Sequence, residues 1–492
     1  MSISPPVTSG NTRVTALISP GRWLSSADRI AQAGNGKKFS WGCAGILFVL
    51  YSVLSIRLQQ KMLTTGFDLG IFEQEVRSYS QGHAPTSGLK GPGFNLLGDH
   101  FSPITALIAP FYRIFPSSLT LLVVQAALLA VAAVPLSRWA HDIGGRQAAL
   151  VVGFGYGASW GIASAVGFDF HEVCFAVPLL AFSVTALGRR RWRVAVLWAL
   201  PLLLVKEDLG LTLAAIGGYV AWRGSYRLGA VTIAAGIGGT LLETFVLIPA
   251  FNPAGHYSYS GNLSGVGGQG GLAGLLHLPL DLVTPQTKVV TLVLLLAPTA
   301  FMAVRSSLLA LAVPTLTWRF LSDNPAYWGT QFHYSAVLMP IVFAAFVHAL
   351  ERSVAGKPLR ERRVVRTGLF AGACVTLALI PAFPLSQLAT VDFWQTSPRI
   401  AAAHRLLDEI PSGASVAASN SLVPQLTNRC TVALFGTPNL QPTDWIIVDT
   451  DGDQAGFPVP AQEQARQVAA AYEAGYHTAA QDNGFLLLHR TA

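Results

Sequence analysis

FSWGCAGILFVLYSVLSIR, residues 39–57, decides the fold class. Only its last residue is charged. At 1.5 Å per residue, a helix of this length matches a bilayer core of about 30 Å. Similar apolar runs follow at 117–137, 147–165, 171–188, 194–205, 209–222, 228–250, 286–304, 306–320, 333–350 and 367–385, about eleven spans in all. The sequence therefore predicts an α-helical polytopic membrane protein. Composition agrees: 51% of the 492 residues are hydrophobic and only 12% charged, where a soluble chain carries about 25% charged residues. Runs 194–205 and 209–222 are short and separated only by Lys206, Glu207 and Asp208, so one long tilted helix is the alternative there.

The formal net charge is +8, unevenly placed: from Leu385 onward there are five Arg, no Lys and ten Asp or Glu. Basic residues cluster before the first span (Arg13, Arg22, Arg29, Lys37, Lys38), in the turns 138–146, 189–193 (RRRWR) and 223–227, and in the loop 351–366. With eleven spans all five clusters fall on one side, which the positive-inside rule assigns to the cytoplasm. That distribution is a topology signal, not a nucleic-acid-binding patch. It predicts a plasma-membrane protein with a disordered cytoplasmic tail (1–38), a transmembrane domain (39–385) and an extracytoplasmic C-terminal domain (386–492). The four cysteines, Cys43, Cys174, Cys374 and Cys430, form no CxxC pair, which argues against a metal knuckle.

Two further regions have structure of their own. In the first external loop, 58–116, the segment DLGIFEQEVRSYSQG spaces Leu69, Phe72, Val76 and Tyr79 along one stripe, with Glu73 and Arg77 turned elsewhere. This predicts a helix lying on the membrane surface. The more apolar FSPITALIAPFYRIF, 101–115, is expected to lie along or dip into the interface. The loop 251–285 is Gly-rich and reads as mobile. The C-terminal domain alternates helix and strand patterns: helices at 398–409 and 460–474, strands in ASVAAS, CTVALF and DWIIVD, and a final hairpin of YHTAAQ and GFLLLHR joined at Asn483-Gly484. It is a small α/β domain without a Gly-rich phosphate loop.

Ionisable groups beside a membrane are costly and mark candidate sites. On the external side they gather at helix ends: Asp68; Asp99 and His100; Asp169, His171 and Glu172; Lys206, Glu207 and Asp208; Arg319; His333 and Tyr334. Each has a plainer reading. Asp68 stands where a helix N-cap would, Asp99 in a loop turn, and DFHE (169–172) at the positive end of a membrane helix. Lys206 could pair with Glu207 or Asp208 inside one turn. The triad is hardest to dismiss, because three charges between two short apolar runs need partners or water. Asp99, His100, Asp169, His171 and Glu172 also supply ligand types enough for a divalent metal ion.

Four of these segments, FDLGIFEQ (67–74), LGDHFSPITALIAPFYRIFP (97–116), FDFHEVCFAVPLL (168–180) and LLVKEDLGL (203–211), resemble a bacterial and archaeal membrane family, domain-of-unknown-function family 2079. The resemblance runs from about residue 40 to the C-terminus. That family's layout is similar to the GT-C class of multi-spanning glycosyltransferases. Those enzymes carry an acidic residue and surface helices in the first external loop, often end in an external soluble domain, and use a sugar linked to a lipid phosphate. The resemblance implies a polyprenyl-phosphate sugar donor and an envelope polysaccharide, glycolipid or protein as acceptor. Glycosyl transfer needs a base for the acceptor hydroxyl, a role that suits Asp68 or Asp99. It also needs positive groups for the departing phosphate, which suits Lys206, Arg319 or the helix end near Asp208. The motif differs from the paired acidic motif of protein mannosyltransferases, which leaves the base open between Asp68 and Asp99.

A transporter or flippase is the main competing reading, and a non-catalytic sensor or assembly protein the other. Against transport stand the lack of an internal repeat and the sparse charge at the midplane. A cavity lined by Asp68, Asp99, His171 and Lys206 would favour the enzyme; a polar path through the bundle would favour transport.

Overall fold

The computed structural model describes residues 26–263, 280–354, 363–437, 442–451 and 460–490. The expected disordered tail lies mostly outside these residues, as do the middle of the Gly-rich loop and of the basic loop 351–366. The first helix begins at Ser26, well before the apolar run, and ends at Gln60.

Among the described residues, five helical stretches are long and apolar enough to cross a membrane: Gly36–Gln60, Ser118–Gly157, Tyr226–Phe251, His333–Val354 and Arg363–Ala382. Shorter apolar helices run over Glu172–Gly188, Trp192–Leu204, Gln286–Thr299 and Ser307–Leu321. Ser118–Gly157 is two helices folded back on each other. Gly145 takes φ 66°, which a side chain would strain, and Ser137 Oγ donates to the Ala149 carbonyl at 3.1 Å. In a straight helix those residues would stand about 18 Å apart. The runs on either side of Lys206–Asp208 are also separate helices, Trp192–Ala199 and Leu209–Arg223. Gly224 at the end of the second lies against the Trp192 ring at the start of the first, which excludes one continuous tilted helix. Leu338–Val354 runs through the middle of the bundle, buried from Leu338 to Leu350.

The C-terminal domain is built on a five-stranded sheet of order β2-β1-β3-β5-β4. The strands are β1 Ser415–Ala418, β2 Thr431–Leu434, β3 Trp445–Asp449, β4 Tyr476–Asp482 and β5 Phe485–Arg490. β1 lies parallel between β2 and β3, while β5 pairs antiparallel with β3 and β4. The β4–β5 hairpin turns at Asn483 and Gly484, both at positive φ, as the Asn-Gly pair predicts. Alternate strand residues feed opposite faces. Val416, Ala418, Ile447 and Leu487 pack with Ala403, Leu406 and Leu407 of helix Pro398–Asp408. Ala417, Ile446, Val448 and Leu488 pack with Ala471 of helix Ala461–Glu473.

The first of these cores also takes in Met62, Ile71, Leu89 and Leu96 from the first loop. This corrects the surface-helix expectation. Helix Ile71–Ser80 lies under the C-terminal domain, and its Glu73 and Glu75 are fully buried. Glu73 accepts hydrogen bonds from Tyr112 at 2.9 Å and from Thr427; Glu75 accepts one from Thr105 at 3.0 Å. The second loop piece is the one left apolar on its surface: Leu107, Phe111, Ile114 and Phe115 are all exposed.

Candidate active site

Asp68 sits in a π-helical turn, Gly66–Gly70, that leads into helix Ile71–Ser80. It does not cap that helix, whose cap position is Gly70. The turn lies beside a cavity of about 430 Å³ between the end of the helical bundle and the first loop. Of the twelve residues expected at the site, ten line this cavity: Asp68, Asp99, His100, His171, Glu172, Lys206, Glu207, Asp208, His333 and Tyr334. Five chain segments distant in sequence thus converge.

The charges inside are largely paired. Lys206 Nζ donates to Glu172 Oε1 at 2.8 Å, so its partner is the DFHE motif and not the adjacent Glu207 or Asp208. His100 Nδ1 lies 2.8 Å from Glu207 Oε1, which also accepts from the Tyr257 hydroxyl at 2.8 Å. Lys90 reaches Asp99 at 2.9 Å, and the Tyr259 hydroxyl donates to the same carboxylate at 3.1 Å. Asp68 differs. It meets His171 Nε2 at 3.5 Å, and among the described residues it has no lysine or arginine within ion-pair distance. Behind it the His171 and His333 rings lie tilted at 36° with centroids 3.5 Å apart.

Burial and these pairings set the protonation. Burial raises the Asp68 pKa above the ordinary aspartate value, with His171 and the two lysines opposing. Burial also works against the Asp99 carboxylate, but His100, Lys90 and Tyr259 together hold its pKa below the ordinary value. Glu207, buried but opposed by His100, falls to about 2. Asp208 rises to about 6, chiefly through burial. Burial disfavours the Lys206 ammonium, yet Glu172, Glu207 and Asp208 keep its pKa well above that of an ordinary lysine.

Two expected site residues lie outside the cavity lining. Asp169 is buried and accepts from the Thr65 amide at 3.0 Å and the Thr65 hydroxyl at 2.6 Å, anchoring the start of the Asp68 turn. Arg319 is fully buried and gives its N–H groups to the carbonyls of Tyr327, Gly329 and Tyr334 and to Ser335 Oγ. It pins the loop after its own helix, with four of its five N–H groups on these protein acceptors. The helix start at Leu209 is also less open than expected: the Leu209 amide donates to Lys206 O and the Leu211 amide to Asp208 O. Of the suggested metal ligands, Asp99 meets Lys90, His100 meets Glu207 and Asp169 meets Thr65, while His171 and Glu172 approach each other at 3.7 Å. Among the described residues, no group of three or more His, Cys, Asp or Glu is arranged to hold a metal ion.

Lys90, Tyr257, Tyr259 and Tyr327 also line the cavity, and none of them is among the residues expected at the site. Lys90 sits in a Gly- and Pro-flanked loop with no periodicity to flag it. The tyrosines, with Trp318, give one wall an aromatic character.

Two solved structures share this fold: ArnT from Cupriavidus metallidurans bound to undecaprenyl phosphate, and the same protein in the apo state. Both align with a TM-score of 0.53 over 91% of this chain and 98% of theirs, at 13% and 14% identity. The expected helical membrane bundle with a small C-terminal sheet domain is therefore present, in a fold shared with these structures. No curated protein matches the sequence. The match to predicted membrane protein family DUF2079 spans residues 58–487, and the chain belongs to that family.

Proposed function

We propose that the protein is a glycosyltransferase that moves a sugar from a polyprenyl-phosphate donor to a hydroxyl of a cell-envelope acceptor, at the extracytoplasmic face of the plasma membrane. The observation that carries this reading is one cavity in which Asp68 stands apart from two carboxylate-held lysines, Lys90 and Lys206. In the reaction Asp68 takes the acceptor's hydroxyl proton as that oxygen bonds to the sugar's anomeric carbon. The bond from that carbon to the phosphate oxygen breaks, and polyprenyl phosphate leaves with the electron pair. Lys206 and Lys90 balance the charge gathering on the phosphate. The tyrosine wall offers apolar ring faces and hydroxyls to a sugar.

The surroundings favour Asp68 over Asp99 as the base. A carboxylate whose pKa is raised toward the working pH accepts a proton better than one held low by an ion pair. Asp99 instead orients Lys90. A polyprenyl-phosphate ligand is further supported by the fold shared with ArnT, solved with undecaprenyl phosphate.

The test is direct. Purified protein given a polyprenyl-phosphate sugar and an envelope extract should release polyprenyl phosphate, and Asp68→Asn should lower that release by about 10²–10⁴-fold. If a deletion strain keeps every cell-wall, glycolipid and glycoprotein sugar, and the purified protein releases no lipid phosphate, the reading is wrong.

A further inference from the structure

The amides that open a helical turn have no partner within it and need a cap. Thr65 occupies the cap position before Gly66–Gly70 but makes no capping bond; Asp169 takes its hydroxyl. The cap comes instead from the far end of the chain. The Gly66 amide donates to the backbone carbonyl of Asn420 at 2.8 Å, and the Phe67 amide donates to Asn420 Oδ1 at 3.0 Å across 353 residues. Asn420 is itself buried. It follows the carboxyl end of β1, the strand between β2 and β3, where open α/β sheets commonly receive a ligand. Here that end receives the Asp68 turn.

Packing fixes the same geometry. A Cβ at Gly66 would stand 2.6 Å from Val423 Cβ, and one at Gly70 would stand 2.8 Å from Val423 Cγ1. The two glycines thus seat the ridge after β1 on one side of the turn. Asp68, two residues from each, falls on the opposite side, where it lines the cavity.

We infer that the C-terminal domain is a template for the candidate base, and that Asn420 is the positioning residue that caps the Asp68 turn from outside. This inference rests on the glycosyltransferase reading for its catalytic consequence, but the capping itself does not.

The experiment compares full-length wild type, Asn420→Ala, Asn420→Asp and Asp68→Asn in lipid nanodiscs. Asn420→Ala should speed amide hydrogen exchange in residues 64–72 by tenfold or more, on the order of one lost protecting bond. Exchange in the β-sheet should stay unchanged. Its kcat for polyprenyl-phosphate release should fall about 10²-fold, the cost of a small misplacement, with the donor KM little changed. Asn420→Asp keeps an oxygen acceptor, so protection and most of kcat should return. Its added negative charge should raise the Asp68 pKa, moving the acid limb of the pH–rate profile to higher pH. Unchanged exchange in 64–72 for Asn420→Ala, or faster exchange spread over the whole domain, overturns the cap. Wild-type kcat despite local loss of protection overturns the positioning role. Full turnover by Asp68→Asn would instead remove Asp68 as the base, and no release of polyprenyl phosphate by wild type would sink the glycosyltransferase reading; in either case the exchange data would still decide the cap.

Discussion

Lys206 and Glu172 form a 2.8 Å ion pair that ties the KED turn to the DFHE motif. The Glu172 side chain is almost wholly buried, so its charge depends on that partner. Removing one member of a buried pair costs about 3–5 kcal/mol, whereas replacing both by neutral groups of similar size costs far less. Lys206→Ala should therefore lower both thermal stability and donor use. Lys206→Met combined with Glu172→Gln should recover the stability without the activity. Recovery of both in the double variant would remove Lys206 from the phosphate site.

The two aspartates separate by kinetics. Asp68→Asn should abolish turnover, about 10²–10⁴-fold, with the donor still bound. Asp99→Asn frees Lys90 from its 2.9 Å partner and should act mainly on the donor KM. Equal losses of kcat in both variants would return the base assignment to an open choice.

Stability should depend on pH through Glu73 and Glu75. Burial raises their pKa values from 4.5 to about 7 and about 8. Both groups hold a proton in the fold that the unfolded chain has already released. Their contribution is full below about 4.5 and is lost as pH climbs through 7 for Glu73 and 8 for Glu75. The unfolding midpoint should fall across that window, and Glu73→Gln should flatten the part of the fall near pH 7. A midpoint of Glu73→Gln that tracks wild type across the window would refute the assignment.

Gly70→Ala should loosen the C-terminal domain from the first loop, since overpacking costs about 1–3 kcal/mol. Val423→Ala in the same chain should rescue it, because the nearest atom in the way is Val423 Cγ1, and the next, Leu89 Cδ1 at 3.0 Å, is the far end of a flexible side chain. It should not rescue Gly66→Ala, where the obstacle is Val423 Cβ, which alanine keeps. Protease sensitivity of the domain boundary reads out both.

For topology, the five basic clusters predict an N-terminus in the cytoplasm and a C-terminal domain outside. A reporter active only in the cytoplasm, fused after Ala492, should stay silent. A bright signal would reverse the orientation and move the cavity to the other face.

What the sequence revealed depended on whether a residue stood out locally. Lys206, Glu207 and Asp208 interrupt an apolar run, and DFHE opens one, so both were visible as costly charges. Asn483-Gly484 announced its hairpin because few other pairs tolerate those angles. Direction was not visible. Arg319 and Asp169 carry the right chemistry, but only tertiary structure aims them at backbone groups instead of the cavity. Glu73 lies off the apolar stripe of its helix, with nothing local to say what it faces. Thr427, which covers Glu73, follows 354 residues later, and no local pattern joins them. Lys90 was lost for the same reason: a lone lysine in a loop is ordinary until the fold sets Asp99 beside it.

The Asp68 turn hangs between two supports made at very different times during translation. Asp169 arrives early and secures Thr65; Asn420 and Val423 arrive only after the last apolar helix has left the ribosome. A nascent or truncated chain that stops short of them lacks the contacts that cap and seat the turn. For the proposed glycosyltransferase, competence would thereby be deferred to the end of synthesis, and a half-built chain in the bilayer would not spend lipid-linked sugar on stray hydroxyls.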